Sequence, residues 1–400
     1  MEIDLFLNDI YKILSILVSA QGDKSFLKVN HKELSKETAI GKSRISEILR
    51  ILENKGYIVS LEKRGFLTVT GLSRRLYKSI IDTDSVFASE TLRFIDLFAG
   101  IGGIRKGFED DKTECVFSCE WDKYAQKTYE ANYGEIPFGD ITQIKAKDIP
   151  PHDVVLAGFP CQPFSSIGKR EGIDDEKGRG TLFFDVLRIV KYHKPKMILL
   201  ENVPGLLTIQ KGDTFKTILK LLDEANYDVF YDVLDSSCFG LPQSRKRILI
   251  ACFRKDLSIK EFKLPKSTNT PQIFACDILE KDPQGYSISK HLQSTYLFKK
   301  NDGHPQIIDK TSKVLCKTLC ASYHKIQRIT GTFVRGGETG IRLLSELECK
   351  RLMGYPDDFK FPVSRTQMYH QLGNSVCVPV IKAVANSMKE EYFKVSRSYV

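Results

Sequence analysis

The chain has 400 residues, 42% of them hydrophobic and 28% charged, enough to bury more than one core and an ordinary balance for a globular protein. No apolar run approaches the roughly 20 residues of a membrane span and the amino terminus is acidic where a signal peptide is basic, so a membrane or secreted protein is excluded and a cytoplasmic one expected. The net charge of +10 is concentrated: residues 31–80 hold eleven Lys and Arg against five Asp and Glu, and residues 254–340 hold fifteen against eight, which points to two surfaces for a polyanion.

In chain order, Leu7, Ile10, Ile13, Leu14 and Leu17 fall at helical spacing. A short helix is expected at about 31–38 and a third at about 42–55, with Ile45, Ile48, Leu49 and Leu52 on one face and Gly56 as its stop. "YIVSL" and "FLTVT" read as two strands joined by a turn at 62–65. This order resembles the winged helix-turn-helix of bacterial transcription regulators. The resemblance makes the third helix the reading helix, with Ser43, Arg44, Ser46, Glu47 and Arg50 turned away from its apolar stripe. A helical dimerisation module is the alternative. Residues 1–80 are thus expected as an α+β winged-helix domain and 81–92 as a linker.

From residue 93 the pattern changes to apolar, β-branched runs, "RFIDLF", "CVFSCE", "DVVLAGF" and "KMILLENV", alternating with helix-like segments. That alternation predicts an α/β domain over 93–254 with an open, mostly parallel sheet, whose ligands sit at the carboxyl ends of the strands. "RFIDLFAGIGG" runs a strand into Gly100, Gly102 and Gly103, which let backbone approach a ligand closely. Glu120, 20 positions beyond Gly100, suits a ribose diol, and Asp140 in "FGDI" is expected to close a third strand where it meets an adenine amino group. The full G-x-G-x-x-G is absent, which favours an adenosine-bearing cofactor other than a dinucleotide.

In "GFPCQPF" the prolines restrict the backbone on both sides of Cys161, making it a candidate nucleophile at the sheet edge. "ILLENVPGL" brings Glu201 and Asn202 to the end of the following strand, where a carboxyl group suits acid assistance. "LPQSRKRILI" sets Arg245 and Arg247 on one face at the start of a strand, placed to orient a carboxylate or bind phosphate. The pairs Cys115/Cys119 and Cys316/Cys320 match no zinc spacing and no metal site is expected.

With "DLFAGIGG", "EWDKYA", "GDIT", "GFPCQPFS", "RGTLFFD", "ENVPG", "QSRKR", "LSELECKRLMGYPDDF" and "QLGNSVCVPV" in this order, residues 93–395 resemble the bacterial DNA cytosine-C5 methyltransferases of restriction-modification systems. The resemblance implies a Rossmann-like S-adenosylmethionine-dependent sheet, a small β-rich target-recognition domain over 255–340, and a segment over 341–400 that returns to the catalytic domain. It implies a cofactor pocket of Phe98, Gly100, Gly102, Gly103, Glu120 on the ribose, Trp121 and Asp140 about the adenine, Ile141, Pro160, Asn374 and Val376. It implies attack of the Cys161 thiolate on C6 of a flipped-out cytosine, with Glu201 at N3, Arg247 beside it and Arg245 near by.

The stretch from Ser165 to Arg179 resembles the loop that closes over the DNA, and Thr318-Leu319 a short pattern of the recognition domain; Ser165, Arg179 and Thr318 are the expected DNA contacts there, with Arg44 and Arg50 in the amino-terminal domain. Expected partners are double-stranded DNA near the nucleoid, the gene's own operator through residues 1–80, and a companion restriction endonuclease, with no stable protein partner and no membrane. A tRNA cytosine-5 methyltransferase on the same fold is the alternative.

Overall fold

The computed structural model describes residues 9–10, 12–13, 16–17, 20, 27–54, 58–60, 66–69, 91–160 and 182–398. Leu7, Leu14, Gly56, the turn at 62–65, Cys161, Ser165 and Arg179 lie outside them. The chain forms two compact units, Met1–Glu90 with Tyr133–Ile136, and Thr91–Asn132 with Pro137–Val400.

In the first unit, β1 (Leu27–Lys28) precedes α1 (His31–Thr38) and α2 (Lys42–Asn54), followed by β2 (Ile58–Ser60) and β3 (Phe66–Val69). Asn30 caps α1 by accepting the Lys32 N–H, and Ala39 ends it in the left-handed region. The two expected strands pair antiparallel, and a third strand absent from the sequence reading joins them, giving the antiparallel order β1-β3-β2. Two residues are too few to show a period, which is why β1 went unread. Ile13, Leu17, Leu34, Ile45, Ile48, Leu52 and Ile58 make a small core.

The second unit is built on six strands, β4 (Leu92–Leu97), β5 (Thr113–Cys119), β6 (Val154–Ala157), β7 (Met197–Asn202), β8 (Tyr227–Asp235) and β9 (Lys246–Arg254), in the order β5-β4-β6-β7-β9-β8. Five strands run in one direction and β9 alone runs against them, antiparallel to both β7 and β8, so the sheet is mixed beyond β7. Val154–Ala157 is buried at every position, as strands covered on both faces require. The connecting helices are α3 (Gly103–Phe108), α4 (Lys123–Tyr133), α5 (Phe183–His193) and α6 (Asp213–Glu224). The chain leaves β4 for one neighbour and returns past it to the other, so the sheet's topological switch point falls beside β4.

Residues 255–340 are less strand-rich than expected: β10 (Gln306–Ile308) and β11 (Thr332–Arg335) join β12 (Ile341–Arg342) in one small sheet, and turns and short helical segments fill the rest. The carboxyl-terminal segment forms α7 (Glu346–Met353), α8 (Arg365–Asn374) and α9 (Val378–Ser398). A reciprocal box of Ser345 and Glu348 starts α7, with Glu348 also paired to the buried Arg342 at 2.7 Å. Among the described residues no helix is long and apolar enough to cross a membrane, and no group of three or more metal-ligating side chains is found.

Candidate active site

Register alone gathers the site. Leu97 pairs with Cys119 and Ala157, and Ala157 with Leu200, so the residues following four strands emerge side by side. After β4 the backbone turns sharply, with φ of 54° at Phe98, 55° at Gly100 and 78° at Gly102. Glycine takes that region freely; a phenylalanine there is held by its surroundings. The Gly100 N–H donates to Glu120 Oε2 at 2.8 Å and the Asp122 N–H to Oε1 at 2.8 Å, so the turn and the carboxylate are built together. Burial pushes the Glu120 carboxyl above its ordinary range, opposed by those two amides. A Cβ at Gly100 would meet nothing within 4 Å, leaving open space beside the turn.

Trp121, next along, is 80% exposed, a bare indole face at the same edge. Asp140 differs from expectation: it closes no strand. Phe138 makes a single bridge to Cys119, because the adjoining Pro137 has no N–H to extend a ladder, and exposed Asp140 instead caps the turn Ile141–Gln143 by accepting the Thr142 N–H. Ile141 is buried, its carbonyl accepting from Arg188 at 2.6 Å. The opposite wall comes from the carboxyl-terminal segment. A Cβ at Gly103 would lie 2.5 Å from Ser375 Oγ and Tyr355 Oη and 2.9 Å from Val376, so only glycine admits this approach. Asn374, next to Ser375, is exposed, its amide 3.1 Å from His370 Nε2.

On the other side, Gly158, Phe159 and exposed Pro160 lead towards Cys161. Asn202 donates to the Phe159 carbonyl at 2.9 Å and thereby pins this approach to β7, a role the sequence reading did not assign. A Cβ at Gly158 would stand 3.6 Å from Glu201 Oε2. Because β9 is antiparallel to β7, its amino end meets the carboxyl end of β7, and Arg247 Nε pairs with Glu201 Oε1 at 3.0 Å. Burial raises the Glu201 carboxyl above its ordinary range, with Arg247 and then Arg245 opposing the shift.

Arg245 is placed otherwise than beside a substrate anion. It precedes β9, is 2% exposed, and donates to the carbonyls of Leu319 at 2.9 Å, Gly373 at 2.8 Å and Ser375 at 2.6 Å. Gln243, fully buried, accepts the Leu319 N–H at 2.7 Å and donates to the Leu352 carbonyl. Thr318 Oγ1 donates to the Ser244 carbonyl at 2.7 Å. "QSRKR" therefore ties residues 318–319 and the carboxyl-terminal segment to the strand that carries Arg247. In the amino-terminal unit, Arg44 is half-buried and paired with Asp9 at 3.3 Å, while Arg50 is exposed.

A doubly wound sheet with a glycine turn after its first strand, a buried carboxylate after its second, and a carboxyl on its fourth paired to an arginine on β9 defines a Rossmann-like α/β fold with a ligand site at the carboxyl ends of its strands. Residues 92–390 match the C-5 cytosine-specific DNA methylase family, and the chain belongs to it: it is a DNA (cytosine-5) methyltransferase, of a family that takes its methyl group from S-adenosylmethionine. It is 64% identical over 299 residues to the type II methyltransferase M.BsuFI of Bacillus subtilis, covering 75% of this chain and 73% of that one. It is 52% identical over 303 residues to M.MspI of Moraxella sp, covering 75% and 71%. The structure of an S. pombe Dnmt2 methyltransferase shares the fold, with a TM-score of 0.57 at 21% identity over 76% of this chain and 98% of that one.

Proposed function

We propose that this methyltransferase protects a short duplex DNA sequence from a companion restriction endonuclease in the bacterial cytoplasm, acting on a flipped-out cytosine through Cys161. The observation that carries the proposal is the Glu201–Arg247 pair at the strand end beside Gly158, three residues before the cysteine. The type II relatives support the restriction-modification setting.

Cytosine C5 is a poor nucleophile. Addition of the Cys161 thiolate to C6 makes C5 enamine-like, and the carboxyl of Glu201 bears a proton at N3 while Arg247 holds that carboxyl in place. Asn202, through the Phe159 carbonyl, orients the approach to the cysteine. Once C5 carries the methyl group, its remaining proton passes to a base, the N3 proton returns to Glu201, and Cys161 leaves as thiolate, which restores the ring. The residues about the β4 turn fit an adenosine-bearing cofactor: open space at Gly100, the Glu120 carboxylate for a diol, and the exposed Trp121 face for an adenine. S-adenosylmethionine bound there supplies an electrophilic methyl group. Phe98, Gly102, Gly103, Asp140, Ile141, Pro160, Asn374 and Val376 complete that pocket. Ser165, Arg179 and Thr318 contact the DNA, and Arg44 and Arg50 act when residues 1–80 engage the gene's own operator. Arg245 serves by position, holding both sides of Asn374.

The test is transfer of labelled methyl groups to unmethylated plasmid, with wild type and Cys161→Ala in parallel, followed by bisulfite sequencing. Methylation at one short motif, absent in the variant, is expected. Methylation persisting in Cys161→Ala overturns the covalent route, and incorporation into tRNA in place of DNA overturns the substrate.

A further inference from the structure

Within residues 255–340 two loops far apart in sequence are braced against each other. Arg328 is 5% exposed although it lies in a loop between exposed Lys325 and Ile329. Its guanidinium donates to the carbonyls of Leu297 at 2.9 Å, Lys300 at 2.9 Å and His304 at 3.0 Å, and forks onto the Asp302 carboxylate, with one bond of 2.9 Å and a second to Oδ1. The segment 297–304 is thus wrapped about a single side chain from 325–331. A second brace runs beneath: Lys317 Nζ donates to the Ile329 carbonyl at 2.5 Å and lies 3.1 Å from His304 Nδ1.

A planar, always-charged fork is the side chain suited to such a junction, and the loops have little regular structure to hold them otherwise. The brace turns Arg328 inward and its neighbours outward. Ile329 is 63% exposed and Phe298 47%, one apolar group carried outward by each loop. Thr330 donates to the Gln327 amide oxygen at 2.8 Å, fixing an amide at the same tip. With Arg328 cancelling Asp302, the two loops leave Lys299, Lys300 and Lys325 uncompensated. Lysines around an amide and apolar tips are the chemistry of a groove reader: cations for phosphates, an amide for a base edge, an aliphatic group for a thymine methyl.

We infer that Arg328 is a specificity-positioning residue, which locks loops 297–304 and 325–331 into one base-reading surface with Gln327, Ile329 and Thr330 at its tip. The inference rests on the reading of the chain as a duplex-DNA methyltransferase, and wild type tests that separately: if wild type methylates no DNA, the proposed function fails before Arg328 is at issue.

Arg328→Lys, which keeps the charge and loses the fork, and Arg328→Ala are compared with wild type by steady-state kinetics on plasmid DNA and by bisulfite sequencing. Expected is a KM for DNA raised about tenfold or more, with methylation spreading to sites one base from the target, while kcat at saturating DNA stays within about threefold. A merely structural role would lower kcat and melting temperature and leave the methylated motif unchanged, and that result overturns the inference. Should both variants fail to fold, Asp302→Asn and Ile329→Ala decide: spreading in either supports the surface, and the wild-type motif at wild-type KM in both overturns it.

Discussion

Glu201 and Arg247 show how two residues 46 positions apart acquire one chemistry. Alone, a carboxyl buried at a strand end stays protonated well above its ordinary range; Arg247 at 3.0 Å pulls it back part of the way. If the protonated acid serves N3, covalent adduct formation is expected to fall as pH rises through the raised pKa. Removing the opposing charge in Arg247→Ala moves that fall to higher pH, which the pH profile of kcat/KM for DNA reads directly. Glu201→Gln, which cannot give up a proton to follow the reaction, is expected to lose about 100-fold or more in kcat with cofactor affinity unchanged. The residue types were legible in "ENVPG" and "QSRKR", and so was the proximity of Arg247. The work of Arg245 was not, because a chain of alternating faces gives two arginines at i and i+2 the same direction, whereas this one precedes β9 and turns into the protein.

At the scale of elements, the glycine turn after β4 and the carboxyl-terminal segment meet without room for a methyl group. Gly103 has an ordinary helical backbone, so alanine there is excluded only by Ser375, Tyr355 and Val376. Gly103→Ala is expected to cost about 1–3 kcal/mol of stability by overpacking. It is also expected to weaken binding of S-adenosylmethionine by more than it weakens binding of DNA, since the displaced segment carries Asn374. Calorimetric titration with the cofactor and thermal melting check both. Gly373 is tighter still: a Cβ would stand 2.1 Å from the backbone nitrogen of Ala321. Residues 320–321 and the segment that carries Asn374 thus touch through main chain. In the sequence Gly373 was one letter of "QLGNSV", and nothing local distinguishes a glycine needed for a turn from one needed for an approach between segments.

Across the whole molecule, the family match covers residues 92–390 and leaves Met1–Glu90 of the first unit outside it. That unit has its own core, to which helical residues Ile13 and Leu17 contribute, and among its described residues α1, α2 and a three-stranded antiparallel sheet follow. On the proposal that residues 1–80 engage the gene's own operator, deleting them is expected to abolish that binding, measured by gel shift, while methylation of the target site continues; loss of methylation with operator binding retained would instead give the unit a scaffold role.

The sequence by itself determined the alternation of strands and helices, since buried parallel strands must be apolar throughout, and the placing of chemical residues just after them, since that is where such sheets leave backbone free to meet a ligand. Only the tertiary structure decided which distant segments share a contact: Arg245 with Gly373, 128 residues on, and Arg328 with Asp302, 26 residues back. The physical reason is that periodicity encodes which face of an element is buried, while the partner across that face is chosen by loop closure and packing, for which no local pattern in the chain stands.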